Sequence, residues 1–217
     1  MISRYWRVKH GVIKHYDRIA RIYDRLYGSE QNLKIKEILR FLNVKKTDVV
    51  LDLGCGTGIL FSHINELANF IVGVDVSSMA LKAAANLIKK IRSDSIFLVR
   101  ADADFLPFRD KVFDKVFAIT LLQNMPNPLL TLREMMRVTD DNSEIAATGL
   151  KKFFSKERFS SMLAKAGMFF QIINTSDDVK GHIALCARDG KTPSKSINKR
   201  KRIGICSMMV KTYANAW

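Results

Sequence analysis

Apolar positions in this chain come in two patterns that alternate along its length. Val49 to Leu53, Phe70 to Asp75, Ser95 to Arg100 and Phe113 to Thr120 are short, nearly unbroken apolar runs, as strands buried on both faces must be. Between and around them, apolar residues recur every three or four positions, which predicts amphipathic helices. These fall over His15 to Tyr27, Gln31 to Leu42 after a break at Gly28-Ser29, Ile59 to about Asn69, Met79 to Ile91, Pro128 to Val138 and Ser155 to Ala166. Ser77 or Ser78 can cap the fourth of these and Asn127 the fifth, with Pro128 opening it, while Gly167 stops the last. A polar turn over Thr139 to Ser143 leads to a fifth strand, Ile145 to Leu150. Met168 to Asn174 and His182 to Ala187 then read as a closing antiparallel pair. Strand and helix in alternation predict an α/β domain built on a doubly wound, mostly parallel, Rossmann-like sheet.

The first strand runs straight into Gly54-Cys55-Gly56-Thr57-Gly58. Glycines at alternate positions make a tight strand-to-helix turn in which backbone approaches a ligand closely. The dinucleotide fingerprint needs a glycine at position 59, where this chain has Ile59, and a P-loop would close on Gly-Lys-Ser/Thr, which is absent. Asp52, inside the strand, would repel a pyrophosphate and suits a cationic ligand that bears an amino acid. S-adenosylmethionine (SAM) has such an end. The second strand closes on Asp75, seventeen residues beyond Gly58, where a carboxylate can accept from both hydroxyls of a ribose. Val76 then lies against the base.

The glycine stretch resembles the signature loop of class I SAM-dependent methyltransferases. Four further stretches match the ubiquinone/menaquinone-biosynthesis type of that family: Ala20 with Tyr23-Asp24, Asp102-Ala103-Asp104-Phe105-Leu106-Pro107-Phe108, Phe113-Asp114-Lys115-Val116, and Leu132 to Val138. The resemblance covers residues 16–188 and implies a seven-stranded sheet, SAM as cofactor and methyl transfer as activity. It implies that Asp102 accepts from the adenine amine and the Ala103 N–H donates to a ring nitrogen. It also implies a first helix that folds over the pocket as a lid, with Tyr23 near the sulfonium, where an aromatic face favours a cation. Asp52, Gly54, Cys55, Gly56, Gly58, Tyr23, Asp75, Val76, Asp102, Ala103 and Thr120 form the expected cofactor set. The chain departs from the family at Thr139-Asp140-Asp141-Asn142-Ser143, where Leu-Lys-Pro-Gly-Gly is usual.

Ligands of open α/β sheets lie outside the carboxyl ends of the strands, so Thr120 to Asn124 should face the methyl group and its acceptor. Gln123 and Asn124 are neutral amides that can position an acceptor by hydrogen bonds. The amino-methylating branch carries Asn/Asp-Pro-Pro-Tyr at this point. Asn124-Met125-Pro126 shares one proline and lacks the aromatic. His63 and His182 are single histidines in core elements, read as structural. Cys55, Cys186 and Cys206 are scattered without metal-ligand spacing, which predicts no metal and fits a reducing cytosol. The N-terminus lacks the apolar segment of a signal peptide and no apolar run reaches membrane-spanning length. The expected location is cytoplasmic.

Charge changes the picture at the two ends. Of 217 residues, 47% are apolar and the formal net charge is +15. Residues 1–46 carry twelve Lys/Arg against four Asp/Glu, residues 47–189 carry seventeen of each, and residues 190–217 carry seven Lys/Arg and no acid. The organisation expected is therefore a basic helical arm or lid (1–46), a SAM-binding core (47–188) and a basic, flexible tail (189–217). Residues 1–15 read as a flexible arm or a short helix. The tail's apolar end, from Ile203 to Trp217, reads as a frayed end, an element packed on the body or a dock for a helper protein. Basic ends suit nucleic acid or an anionic membrane surface, or are solvated faces. The acceptor expected is a small or lipid-like metabolite, as the resemblance to quinone-biosynthesis enzymes implies, or RNA or a ribosomal component, as the basic ends suggest. The competing class is a chain of this fold that binds RNA or a partner without catalysis.

Overall fold

The computed structural model describes residues 4–188. The tail expected over 189–217 lies outside the described residues. Seven strands form one sheet: β1 Val49–Leu53, β2 Phe70–Asp75, β3 Ile96–Arg100, β4 Phe113–Ala118, β5 Thr139–Leu150, β6 Phe169–Ile173 and β7 Gly181–Ala187. Their spatial order is β3-β2-β1-β4-β5-β7-β6. The first five run parallel, β7 is antiparallel to β5, and β6 is antiparallel to β7. The order reverses between β1 and β4, which opens a crevice at their carboxyl ends.

Successive residues of each strand enter opposite cores. Leu51, Leu53, Val72 and Val74 pack on one face with Phe113, Leu132, Met135 and Leu163. Val50 and Ile71 pack on the other with Ile35, Ile38, Phe61 and Ala84. Six helices supply the covering layers: α1 Arg4–Ile19, α2 Tyr23–Phe41, α3 Phe61–Ile64, α4 Ser78–Ile91, α5 Pro128–Val138 and α6 Lys156–Lys165. Ser77 caps α4 by accepting from the Ala80 N–H, and Ser155 caps α6 by accepting from Arg158. Gly167, at φ +82°, ends the segment after α6.

Four local expectations need correction. The break foreseen at Gly28-Ser29 does not occur: α2 runs through both, and the chain instead bends at Ala20 to Ile22. A single interior glycine costs a helix only about 1 kcal/mol, which burial of Ile35 and Ile38 outweighs. The bend lets Asp17 and Asp24 reach different loops of the body, as described below. The helix foreseen over residues 59–69 is one turn, α3, because the chain must come back for Asn69 and Phe70 to donate to the Asp48 carbonyl. Asn127 makes no side-chain cap bond; its carbonyl accepts from Leu130 instead. The polar stretch Thr139 to Ser143 is the start of β5, carried through a register irregularity against β4. Its polar groups find partners at the sheet edge: Thr139 donates to the Met135 carbonyl at 2.6 Å, and Asp141 pairs with Lys111 and Arg188.

Gly73, at the centre of β2, is where the sheet and the α3 turn come closest. A Cβ there would lie 2.6 Å from the Phe61 ring, 3.0 Å from Cys55 Sγ and 3.0 Å from Leu98. Gly73→Ala should therefore overpack the core and lower stability by about 1–3 kcal/mol, read as a fall in the urea midpoint at unchanged m-value.

Candidate functional site

The glycine turn is built by its own backbone demands. Gly54, Gly56 and Gly58 have φ of +73°, +55° and +87°, values that side-chain-bearing residues rarely take. Two of them are also sterically required: a Cβ on Gly54 would meet Leu121 at 2.9 Å, and one on Gly58 would meet Phe61 at 2.6 Å. Around a Cβ on Gly56, by contrast, nothing lies within 4 Å. The turn is open there. The Gly54 and Cys55 N–H groups both donate to the Val74 carbonyl, at 2.8 and 2.9 Å, so the turn is fastened to β2. Asp75 completes the fastening. Its carboxylate accepts from the Gly56 N–H at 2.9 Å and from the Ser77 N–H at 2.8 Å.

Above this edge lies an open cleft with about 870 Å3 of empty space, part of it continuous with solvent. Asp102, Ala103 and Val76 line it at the β2–β3 end, and Thr120, Leu121, Asn124 and Met125 at the β4 end. Tyr16, Tyr23, Val12 and Ile13 line it from α1 and the start of α2. A smaller recess of about 360 Å3 opens beside it, lined by Asp52, Cys55 and Gln31 and sharing Tyr23, Gly54, Gly56 and Thr57 with the cleft. The structure thus gathers ten of the thirteen expected cofactor and acceptor residues directly on these two spaces and Cys55 on the recess wall. Gly58 lies behind, against Phe61, and Gln123 turns back so that its amide donates to the Thr120 carbonyl.

The acids differ sharply in environment. Asp52 is 3% exposed, and burial, then the nearby Asp75, pushes its carboxyl up to about 8. Burial also raises Asp75, but the N–H groups of Ser77, Gly56 and Val76 oppose the rise by solvating the charged form. The Cys55 thiol is raised well above its ordinary value by burial, then by Asp52 and Asp75, so it is a protonated wall and no nucleophile. Asp102 pairs with Lys9 through Oδ1, while its Oδ2 is buried without a partner.

The first two helices carry the residues that sequence reasoning missed. Lys9 from α1 reaches both Asp102 and Asp104, and Tyr5 donates to Asp104. Asp17 accepts from the Ser77 hydroxyl at 2.6 Å and from the Met79 N–H at 3.1 Å. Asp24 accepts from the Thr57 hydroxyl at 2.5 Å, directly on the glycine turn. Tyr16 accepts from Asn124 at 2.9 Å. Tyr16 and Tyr23 rings stand 6.0 Å apart, and Tyr23 and Tyr27 5.1 Å apart. The signal available was spacing: Tyr5, Lys9, Val12, Ile13 and Tyr16 share one helical face, which predicts a buried stripe without revealing what it covers.

Thr120, two residues beyond the end of β4, has φ +62°. For a β-branched residue this is an outlier costing on the order of 1–3 kcal/mol. Its N–H donates to Thr148 Oγ1 at 2.7 Å, its hydroxyl donates to Gln31 at 2.9 Å and accepts from Lys34 at 2.8 Å, and its carbonyl accepts from Asn124 at 3.1 Å. The two histidines sit apart from the cleft's lining: His63 contacts Asn32 Oδ1 at 2.6 Å, and His182 contacts the Phe154 carbonyl at 3.1 Å and stacks on Phe159. Among the described residues no group of His, Cys, Asp and Glu could hold a metal ion, and no helix is long and apolar enough to cross a membrane.

The cleft's parts suit an aminoacyl nucleoside. Asp102 Oδ2 is an orphaned acceptor that a donor-bearing base would satisfy, the turn at Gly56 leaves space beside the backbone, and the recess ends on a carboxyl. Comparison with known proteins agrees. A family model described as a methyltransferase domain matches residues 51–147. An uncharacterized protein of Methanocaldococcus jannaschii is 32% identical over 177 residues, covering 82% of this chain and 66% of that protein. The demethylmenaquinone methyltransferase of Listeria welshimeri is 31% identical over 143 residues, covering 62% of this chain and 60% of that enzyme. The chain thus spans less than two thirds of the length of these curated relatives. A solved complex of the Haloferax volcanii Trm112 methyltransferase activator with a methyltransferase superposes with TM-score 0.68 at 16% identity, over 80% of this chain and 97% of that one, a likeness of fold. Turn, switch-point cleft, seven-stranded order and matched model converge: residues 51–147 match a methyltransferase domain on the class I fold, and the cofactor that such a domain implies is S-adenosylmethionine.

Proposed function

We propose that this protein transfers a methyl group from SAM to an acceptor that enters beneath α1 and α2. The observation that carries the reading is the unpartnered, buried Asp102 Oδ2 at one end of a cleft whose adjoining recess ends on Asp52. On this reading Asp102 and Ala103 hold the adenine and Val76 lies against it. Asp75 accepts from the ribose, and Asp52 meets the amino-acid end. When bound, the cofactor supplies a methyl group on a sulfonium, which is already a good electrophile. The protein's contribution is proximity and alignment.

The β4 end of the cleft supports that division of labour. Tyr16, Thr120, Leu121, Asn124 and Met125 line it, without a carboxylate or imidazole to act as base. Tyr16 is raised by burial, so its hydroxyl stays protonated. Asn124, already bonded to Tyr16, is the amide placed to orient an acceptor; Gln123 would support it by bracing the Thr120 carbonyl. α1 and the start of α2 would serve as the lid, latched by Asp17, Asp24 and Lys9.

Apolar lining from Val12, Ile13, Leu121 and Met125 favours a small or lipid-like acceptor. A specific observation favours RNA as the second reading. Arg7, Lys14 and Arg18 are exposed on α1, pair with no acid among the described residues, and lie opposite the stripe that faces the cleft. The Haloferax complex supports the further reading that a helper protein assists this chain. A chain of this fold that binds without catalysis remains the competing class, and transfer of labelled methyl to small-molecule or RNA fractions separates the two.

Calorimetric titration with S-adenosylhomocysteine should give binding in the micromolar range, and Asp75→Ala should abolish it by removing both the ribose acceptor and the fastening of Gly56. Full affinity in the variant would sink the assignment of Asp75. A second prediction concerns pH. Burial, then the nearby Asp75, holds the Asp52 carboxyl well above the ordinary range. It is therefore neutral below about 8 and must lose its proton to pair with an ammonium. Affinity for S-adenosylhomocysteine should rise about twentyfold between pH 6 and 7.5, with proton release seen as buffer-dependent heat. 5′-Methylthioadenosine, which lacks the amino-acid end, and the Asp52→Asn variant should both give a flat profile.

A further inference from the structure

Lys34 is fully buried, at 0% exposure, and nothing in the reading above uses it. Burying a lysine is costly unless its charge is paired. Its ammonium pairs with Glu30, one turn back on α2, at 2.7 Å, and donates to Thr120 Oγ1 at 2.8 Å. Room for its stem is provided at the start of β7, where a Cβ on Gly181 would lie 3.2 Å from Lys34 Cε. Burial lowers the lysine and Glu30 opposes the shift. A buried ion pair of this kind is weak evidence for stability alone. What singles it out is its target, the one β-branched residue of the described chain in the left-handed region.

Thr120 persists in that conformation because each of its polar groups is engaged, and the hydroxyl is the group furthest from backbone control. The turn it makes has two consequences at the cleft. Its carbonyl takes the amides of Gln123 and Asn124, and the residue after it, Leu121, is laid against the glycine turn so closely that Gly54 has no space for a Cβ. We infer that Lys34 is a positioning residue that acts through Thr120: with Gln31 it holds the Thr120 hydroxyl, keeps the β4 end in its left-handed turn, and so sets Leu121 and Asn124 against the cofactor cleft. The inference rests on the proposal that this cleft binds SAM.

The test is a double-mutant cycle read by S-adenosylhomocysteine affinity, with thermal unfolding recorded for every variant. Lys34→Met should weaken binding about tenfold. In a Thr120→Gly background, where a left-handed φ carries no steric penalty, adding Lys34→Met should change affinity by less than about twofold, because there is no strained turn left to hold. A role in general stability would lower the unfolding temperature equally in both backgrounds and would not produce this rescue. Thr120→Val removes the hydroxyl and keeps the branching, so it should reproduce the loss even if Lys34→Met fails to fold. An equal effect of Lys34→Met in both backgrounds, or wild-type affinity in Thr120→Val, would overturn the inference while leaving the cleft's reading intact. Wild-type protein that does not bind S-adenosylhomocysteine would overturn both.

Discussion

Asp52 and Asp75 share the buried edge where β1 and β2 end, yet only Asp75 is given hydrogen bonds in the folded chain. Two like charges in a low-dielectric setting cannot both be ionised cheaply. The structure resolves this by asymmetry. Asp75 spends its acceptors on the Gly56 and Ser77 N–H groups and so ties the glycine turn to the start of α4. Asp52 has desolvation without that compensation and is pushed toward its neutral form. The glycine turn, the α4 cap and the recess all depend on this arrangement, because each is anchored to one of the two carboxylates or to the Val74 carbonyl between them. A cation delivered to Asp52 would relieve a cost that the fold itself imposes.

The two N-terminal helices solve a related problem of charge. α1 and the start of α2 carry a large basic excess, but their acids, Asp17 and Asp24, both turn to the body, where Ser77 and Thr57 donate to them. Lys9 is the base that turns inward, and it meets Asp102 and Asp104. Arg7, Lys14 and Arg18 of α1 are exposed. Residues 4–25 are therefore held by a few polar contacts around the cleft rather than by a deep apolar seam. Such attachments carry modest free energy and open more readily than a packed core. On the proposed reading, each touches a loop that the ligand would also touch, which would couple occupancy of the cleft to the attachment of these helices.

Much of this was legible because it is local. A buried strand ending in alternate glycines, an acid at the next strand's end and an Asp-Ala pair after the third are contiguous letters whose geometry follows from backbone constraint. The sheet order followed from alternation of strand and helix. Features that escaped depend on contacts between distant residues. The bend at Ala20 to Ile22 accompanies contacts of Asp17 and Asp24 with different loops, which no helical periodicity encodes. Thr139 to Ser143 reads as a turn by composition, and only pairing with β4 and the partners of Asp141 make it strand. The left-handed Thr120 and the buried Lys34 are invisible locally, since a lysine predicts exposure and a threonine predicts ordinary strand geometry.

The acceptor end of the cleft narrows the chemistry on the proposed reading. With Tyr16 held protonated and Asn124 neutral, no group there can remove a tightly held proton as the methyl moves. General-base assistance would have to come from water or from the acceptor itself. Acceptors that present a lone pair or a carbanion without needing deprotonation in the transition state are then favoured over alcohols and protonated amines. The apolar wall points the same way, because excluding water leaves a neutral nucleophile at full strength while disfavouring a charged ammonium. Orientation by one amide then suffices, provided that the amide is fixed. Asn124 is fixed from both sides, by Tyr16 from the lid and by the Thr120 carbonyl from the sheet. That makes the geometry of the acceptor site contingent on lid closure above and on the turn at Thr120 below.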